Sequence, residues 1–434
     1  MQNRQRNTSG SSPGGRTLAA LRPVWRSICA FYKKYELLLF AVALGIAAAV
    51  LRTRYLDFRS GDYNGFLYGW FEDIKKMPGL SGFASGTGDY TQMYKYIITL
   101  LTKLPMDSLY SYKLVSCLFD YLLALYAGLI VRHITKNRVA ALLGYGAILF
   151  LPNVFLNSAV WGQCDAIFTA FTVMSFYYLL KERDVASLVC YGIAFAFKIQ
   201  AVFFAPVIVL AFLRKKFRWF TLPVPFLTYG ACALPAVFAG MNAGEALFGI
   251  YLRQIGEYSA LTLNAPNLYQ FLGSSYAADR QLSSLMVWCS FGLCALLCIA
   301  FYRYRGTLSD TRWVCVAYLF AVVLPFVLPH MHERYFYMAD IFAVLFAFCC
   351  IRKTYVAVLT IYPSLRVVMC YLFDQGHTQM NVHALTVILL AGIALLVHYI
   401  LCDFSGKKVC PESETPAAPQ QESSCQIPET EKKR

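Results

Sequence analysis

Along the chain, long apolar runs alternate with short polar punctuation. The runs lie near 36–53, 110–131, 138–157, 164–180, 184–197, 199–213, 217–239, 284–302, 312–329, 335–351, 354–373 and 382–402. An α-helix needs about 20 apolar residues to cross a hydrocarbon core, and most of these runs come close to that length. The period-two alternation of a membrane barrel is absent. The pattern therefore predicts an all-α integral membrane protein with about 11–13 spans. The stretch 184–213 is long for one span and short for two.

Two polar intervals are longer than the rest, 54–109 and 240–283. In the first, Phe66, Leu67, Trp70, Phe71 and Ile74 recur at helical spacing, as do Met93, Tyr94, Ile97, Ile98 and Leu101. These sets predict two amphipathic helices lying in the membrane interface, joined by a glycine-rich turn over Gly79–Gly88.

Charge orients the bundle. Lys and Arg concentrate in the basic arm before the first run, in 132–138, 181–184, 214–218, 303–312 and 352–353, and after the last run. Placing all of these in the cytoplasm satisfies the positive-inside rule. It also requires 184–213 to enter and return, with Lys198 near the far tip. Both termini are then cytoplasmic. The intervals 54–109, 158–165, 240–283 and 330–334 share the outer face.

Composition agrees. The chain is 58% hydrophobic and 15% charged, where a soluble domain carries about a quarter charged residues. The net charge of +15 sits at helix ends, so nucleic acid is not an expected partner. Most of the 15 cysteines fall inside apolar runs and follow no zinc or disulfide spacing. The expected organisation is a disordered basic cytoplasmic arm over 1–35, a membrane domain over 36–402 and a disordered cytoplasmic tail over 403–434.

Candidate chemistry gathers on the outer face. Asp62 and Asp89 each precede one of the interfacial helices, where a carboxylate serves as an N-cap or as a general base. Asp57 is an alternative base. The element Trp161-Gly162-Gln163-Cys164-Asp165 reads either as an aromatic anchor with a cap or as a sugar-binding set. In His330-Met331-His332-Glu333-Arg334, four ionisable side chains crowd a membrane boundary, which is costly unless they are used. Its spacing is not the HExxH of a zinc helix. Arg334 suits phosphate, as does Lys198 if it does not simply snorkel. Asp120 and Asp340 fall within runs and should face a cavity or a partner. Asp57, Asp62 and Asp89 leave open a divalent cation, Mg or Mn. No phosphate-binding glycine loop for a nucleotide occurs.

Together, Ser60–Ile74, Gly88-Asp89-Tyr90, Trp161–Asp165, Lys198–Ala201 and His330–Tyr335 resemble motifs of the GT-C superfamily of membrane glycosyltransferases. The resemblance is to bacterial relatives of the second mannosyltransferase of glycosylphosphatidylinositol assembly, and more distantly to lipid-linked oligosaccharide glucosyltransferases. It covers most of 36–402. The sequence departs from such relatives at Asp89-Tyr90-Thr91-Gln92-Met93-Tyr94, which lacks their prolines. The resemblance implies a GT-C-like bundle in the bacterial cytoplasmic membrane, with Asp62 as catalytic base. It also implies a polyprenyl-phosphate sugar as donor and inverting transfer to a hydroxyl of a glycan, lipid or protein. Physically, a lipid phosphate leaves as an anion and needs cations or hydrogen-bond donors rather than an acid. Arg334, His330, His332 and Lys198 are the candidates, and Glu333 is expected to join them in the donor-phosphate site. Asp89, Trp161, Gln163 and Asp165 are candidates for the sugar or acceptor. The alternatives are a transporter of lipid-linked sugars and a non-catalytic subunit of an envelope assembly complex.

Overall fold

The computed structural model describes residues 13–254, 260–272, 280–374 and 381–405. All twelve apolar runs are helical. Helix α1 covers Pro13–Thr53. A π-helical turn Tyr63–Leu67 leads into α2 (Tyr68–Lys75), and α3 is Gln92–Leu101. The bundle continues with α4 (Ser108–Thr135), α5 (Arg138–Leu149), α6 (Pro152–Phe155) and a second π-helical turn, Leu156–Trp161. Next come α7 (Asp165–Leu180), α8 (Asp184–Phe197), α9 (Ala205–Leu213), α10 (Val224–Phe238) and the short α11 (Ile250–Gln254). The last five are α12 (Arg280–Arg303), α13 (Asp310–Val327), α14 (Tyr337–Cys349), α15 (Thr354–Met369) and α16 (Val382–Phe404).

Among the described residues, 7 helices have the length and apolarity of a full crossing, or 8 if the bent pair 138–149 and 152–161 is one span. Three shorter apolar helices, Asp165–Leu180, Asp184–Phe197 and Ile199–Leu213, fill further expected positions. Local breaks shorten the others. Pro152 starts a new helix after a 47° bend, since proline cannot continue the one before it. Lys198 is extended (φ −158°, ψ 136°) and separates α8 from the turn leading into α9. That break lies at the expected hairpin tip.

Helix α1 starts at Pro13, so it runs through part of the basic arm 1–35. A helix already nucleated by a span extends at little cost into its flanks. The remainder of that arm (1–12) and most of the tail, 406–434, lie outside the described residues.

Helix α14 is the centre of the bundle, with Tyr337 to Phe346 buried throughout. It packs on α13, α15 and α4. The first long polar interval, 54–109, packs onto this bundle, its α3 against α4, α8 and α10. Its α2 and α3 bury Phe71, Ile74, Tyr94 and Ile98 beneath them. Two short parallel strands, β1 (Thr262–Leu263) and β2 (Met331–His332), fasten the second long polar interval, 240–283, to the entry of α14. The chain is thus an all-α, multi-pass integral membrane protein whose conspicuous polar motifs lie at helix breaks.

Candidate active site

Asp62 begins at the backbone. Helix α1 ends at Thr53, and the Lys113 ammonium on α4 collects the carbonyls that follow, donating to Tyr55 O (2.8 Å), Leu56 O (3.0 Å) and Phe58 O (2.5 Å). All three of its N–H groups are therefore used, which is what makes its burial tolerable. Ser60 then donates to the Trp161 carbonyl at 2.9 Å and accepts from the Tyr63 amide. The chain between these anchors carries Asp62 to the end of the π-helical turn Leu156–Trp161.

Asp62 does not cap its own helix. Its carboxylate reaches across the interface instead. Oδ2 accepts from Trp161 Nε1 (2.9 Å) and Gln163 Nε2 (2.6 Å), and Oδ1 accepts from Tyr371 Oη (2.6 Å). Tyr371 also stacks on Trp161, with ring centres 4.9 Å apart. Tyr90 donates to Gln163 Oε1 at 3.1 Å, which orients the amide so that its nitrogen faces Asp62. Gly162 makes this arrangement possible. Its φ of +81° ends the π-helical turn in a conformation open mainly to glycine.

Arg334 closes the cluster. It lies 3.6 Å from Asp62, 3.8 Å from Asp165 and 3.8 Å from Glu333, with its guanidinium 5.3 Å from the centre of the Trp161 ring. Direct charge-assisted hydrogen bonds are shorter, about 2.7–2.9 Å, so its donors are not used up by these carboxylates. Asp165 is buried and carries Lys198 and Asn157 on its two oxygens. Lys198 therefore does not snorkel; it is an ion-pair partner in the site.

The HxHER element divides by role. Burial, with Arg334 and Lys198 adding to it, pushes His332 down to about 3. Its imidazole is neutral at neutral pH and is no phosphate cation. His330 has a left-handed φ of 61°, and its Nδ1 meets the Ala260 carbonyl at 2.7 Å, so it is committed to the second long polar interval. Burial pushes Glu333 up to about 7; Arg334 opposes this, and Asp62 and Asp165 add to it. Of the four residues expected to hold phosphate in this element, Arg334 alone joins Asp62 as a permanent cation.

Two further candidates lie apart. Asp57 is exposed and accepts from Tyr110 at 2.5 Å. Asp89 is exposed, and Thr91 rather than Asp89 occupies the N-cap position of α3, its hydroxyl donating to the Phe197 carbonyl instead of capping the helix. The structure gives it a backbone contact, Gln254 donating to its carbonyl at 2.8 Å. Its neighbour Tyr90 is the residue of that pair that enters the site. The carboxylates Asp57, Asp62 and Asp89 do not converge, and among the described residues no group of three or more His, Cys, Asp or Glu side chains forms a metal cluster.

Sequence reasoning missed Tyr371, Asn157 and Lys113, and it gave Tyr90, named within a motif, no role of its own. The polar pair Asn157-Ser158 within an apolar run was a usable signal for the second π-helical turn, since such turns mark functional segments.

Residues 89–240 match the family described as dolichyl-phosphate-mannose-protein mannosyltransferase. The match covers less than half of the chain, and it contains Tyr90, Trp161, Gln163, Asp165 and Lys198 but neither Asp62 nor Arg334. No curated protein matches the chain. The family match supports a membrane glycosyltransferase of GT-C type.

Proposed function

We propose that the protein is an inverting hexosyltransferase that takes a mannosyl or glucosyl residue from a polyprenyl-phosphate donor. The transfer goes to a hydroxyl on the non-cytoplasmic face, on a glycolipid, envelope glycan or protein. The observation that carries this reading is the Asp62 carboxylate, held by three donors and facing Arg334 across a gap of 3.6 Å. The family match adds the donor class, because its members are described by dolichyl-phosphate-mannose.

The reaction follows from these groups. The acceptor oxygen forms a bond to the anomeric carbon and passes its proton to Asp62. The bond from that carbon to the phosphate oxygen breaks on the opposite side, and the lipid phosphate leaves with the electron pair. Arg334, assisted by Lys198, stabilises the charge developing there. Gln163 and Trp161 hold the base and present polar edges and an aromatic face to the sugar.

The test uses the full chain in nanodiscs with radiolabelled polyprenyl-phosphate mannose or, separately, glucose. Host membrane lipids and hydroxyl-bearing peptides serve as acceptors. Label moving to a product with wild type but not with Asp62→Asn establishes the reaction and its base. Equal turnover by Asp62→Asn overturns the role of Asp62. Absence of transfer from both donors overturns the donor assignment.

A further inference from the structure

A small cavity beside Arg334 is lined by Asn153, Asn157, Arg334, Tyr337, Asp340, Ser364 and Val368. It has room for about one water molecule. Four buried polar atoms among those residues have no hydrogen-bond partner among the described residues: Asn153 Oδ1, Asn157 Oδ1, Tyr337 Oη and Arg334 Nε. Buried polar atoms are almost always paired, so four orphans on one small cavity call for a shared partner.

The amide orientations are not arbitrary. Asn153 Nδ2 donates to Asp340 Oδ2 (2.5 Å) and to Ser364 (3.0 Å), and Asn157 Nδ2 donates to Asp165 Oδ2 (2.8 Å). Flipping Asn157 would set its oxygen against the Asp165 carboxylate, which Lys198 keeps charged, and the Asn153 amide nitrogen is the donor that Asp340 and Ser364 receive. Both carbonyl oxygens are thereby left for the cavity. The orphans then comprise two acceptors, one fixed N–H donor and one rotatable hydroxyl. A water molecule, with two donors and two acceptor sites, matches that set.

We infer that this cavity is a buried hydration site whose water bridges Asn153 and Asn157 to Arg334 and Tyr337. Asp340 fixes Asn153, and Asp165 fixes Asn157, so both carboxylates act on the guanidinium through the bound water. Asp340 is thus a positioning residue. It has no place in the transfer chemistry, and the inference stands whether or not the hexosyltransferase reading holds. Val368 lines the same cavity without a polar group. Replacing it with Ile adds one carbon, of about the volume of a water molecule, while leaving every polar partner in place.

The test is a cryo-EM structure of the full chain in nanodiscs, at a resolution that shows ordered water, for wild type and Val368→Ile. The expected result is a density peak in wild type within hydrogen-bond distance of Asn153 Oδ1, Asn157 Oδ1, Tyr337 Oη and Arg334 Nε. In Val368→Ile the peak should be lost and the guanidinium should turn away from Asp165. No peak in wild type, with the four side chains in place or collapsed onto one another, overturns the hydration site. A guanidinium unmoved in Val368→Ile after loss of the peak overturns the positioning role. Should the variant fail to fold, the wild-type map alone still decides the hydration site.

Discussion

Two arginine–aspartate pairs lie at the same π-helical turn and differ in almost everything else. Ser158 on that turn donates to Asp120 (2.5 Å), which takes Arg52 Nε and Nη2 on one oxygen, both at 2.9 Å. Arg52 is 3% exposed and Asp120 is 0% exposed, and Arg52 spends its remaining donors on the Ala48 and Leu149 carbonyls. Three residues later, Trp161 donates to Asp62, whose arginine stands 3.6 Å away; these two are 14% and 17% exposed. The inner pair is closed, with contact geometry and no access. The outer pair is open, with the carboxylate held by neutral donors rather than by its cation. A closed pair ties α1 to α4, whereas the open one leaves both groups partly exposed and the guanidinium donors not taken up by direct hydrogen bonds to Asp62.

The largest expected effect separates the two. Asp62→Asn keeps the side-chain shape, and its carbonyl oxygen still accepts from Trp161 and Gln163. Transfer should fall about 10²- to 10⁴-fold, the usual weight of a general base, with unchanged membrane insertion and thermal stability. Radiolabel transfer by the purified variant measures it. A loss of folding rather than of rate would place Asp62 with the inner pair.

Asp120→Ala should do the reverse. It leaves Arg52 buried and unpaired, which costs about 3–5 kcal/mol, while transfer per folded molecule stays near wild type. Denaturation in mixed micelles measures the first and single-turnover transfer the second. The pair Arg52→Met with Asp120→Leu should recover much of the stability, because packed apolar groups replace buried ion pairs well.

Glu333 sharpens the comparison through pH. Its folded pKa, raised by burial to about 7 from the ordinary value of 4.5, means that the folded state holds a proton which the unfolded state has released between those values. Stability is therefore fully present below about pH 4.5, declines as pH rises and levels off above about pH 7. The difference is on the order of 3 kcal/mol. Glu333→Gln, which stays neutral, should match wild type at pH 4.5 and exceed it at pH 8. His332, with a lowered pKa, weakens the fold in the opposite direction as pH falls below its ordinary value. It does so in both proteins and drops out of the difference. Equal midpoints at pH 8 would show that Glu333 is not held protonated.

How much of this was legible in the sequence depends on how far each constraint reaches. Lipid acts on every residue of a span, so the twelve apolar runs appear as helices at the expected positions, and the break at Lys198 coincides with the turn that the charge pattern required. The convergence of Asp62, Trp161, Gln163, Asp165, Lys198 and Arg334 was legible because each stands out against apolar surroundings. Tyr371 was not, since a tyrosine near the end of a span reads as part of an interface belt. Asp89 drew attention by its charge, yet long-range packing of α3 delivers Tyr90. His330 looked like its neighbour His332, and nothing near it in sequence announces the Ala260 carbonyl that holds it.

The smallest expected effect tests how the open pair keeps its carboxylate in place. Tyr371→Phe removes one of three donors to Asp62 and keeps the ring stacked on Trp161. A hydrogen bond to a charged group is worth about 1.5–3 kcal/mol, and two donors remain, so kcat should fall by roughly tenfold. Tyr371 makes no hydrogen bond to Arg334, so the KM for the donor should hardly change. Tyr90→Phe acts one step further out, through Gln163, and should cost less still. A rise in donor KM with kcat intact for Tyr371→Phe would move this tyrosine from the base to the phosphate side. It would also mean that the gap between Asp62 and Arg334 is set by the ligand rather than by the donors that hold Asp62.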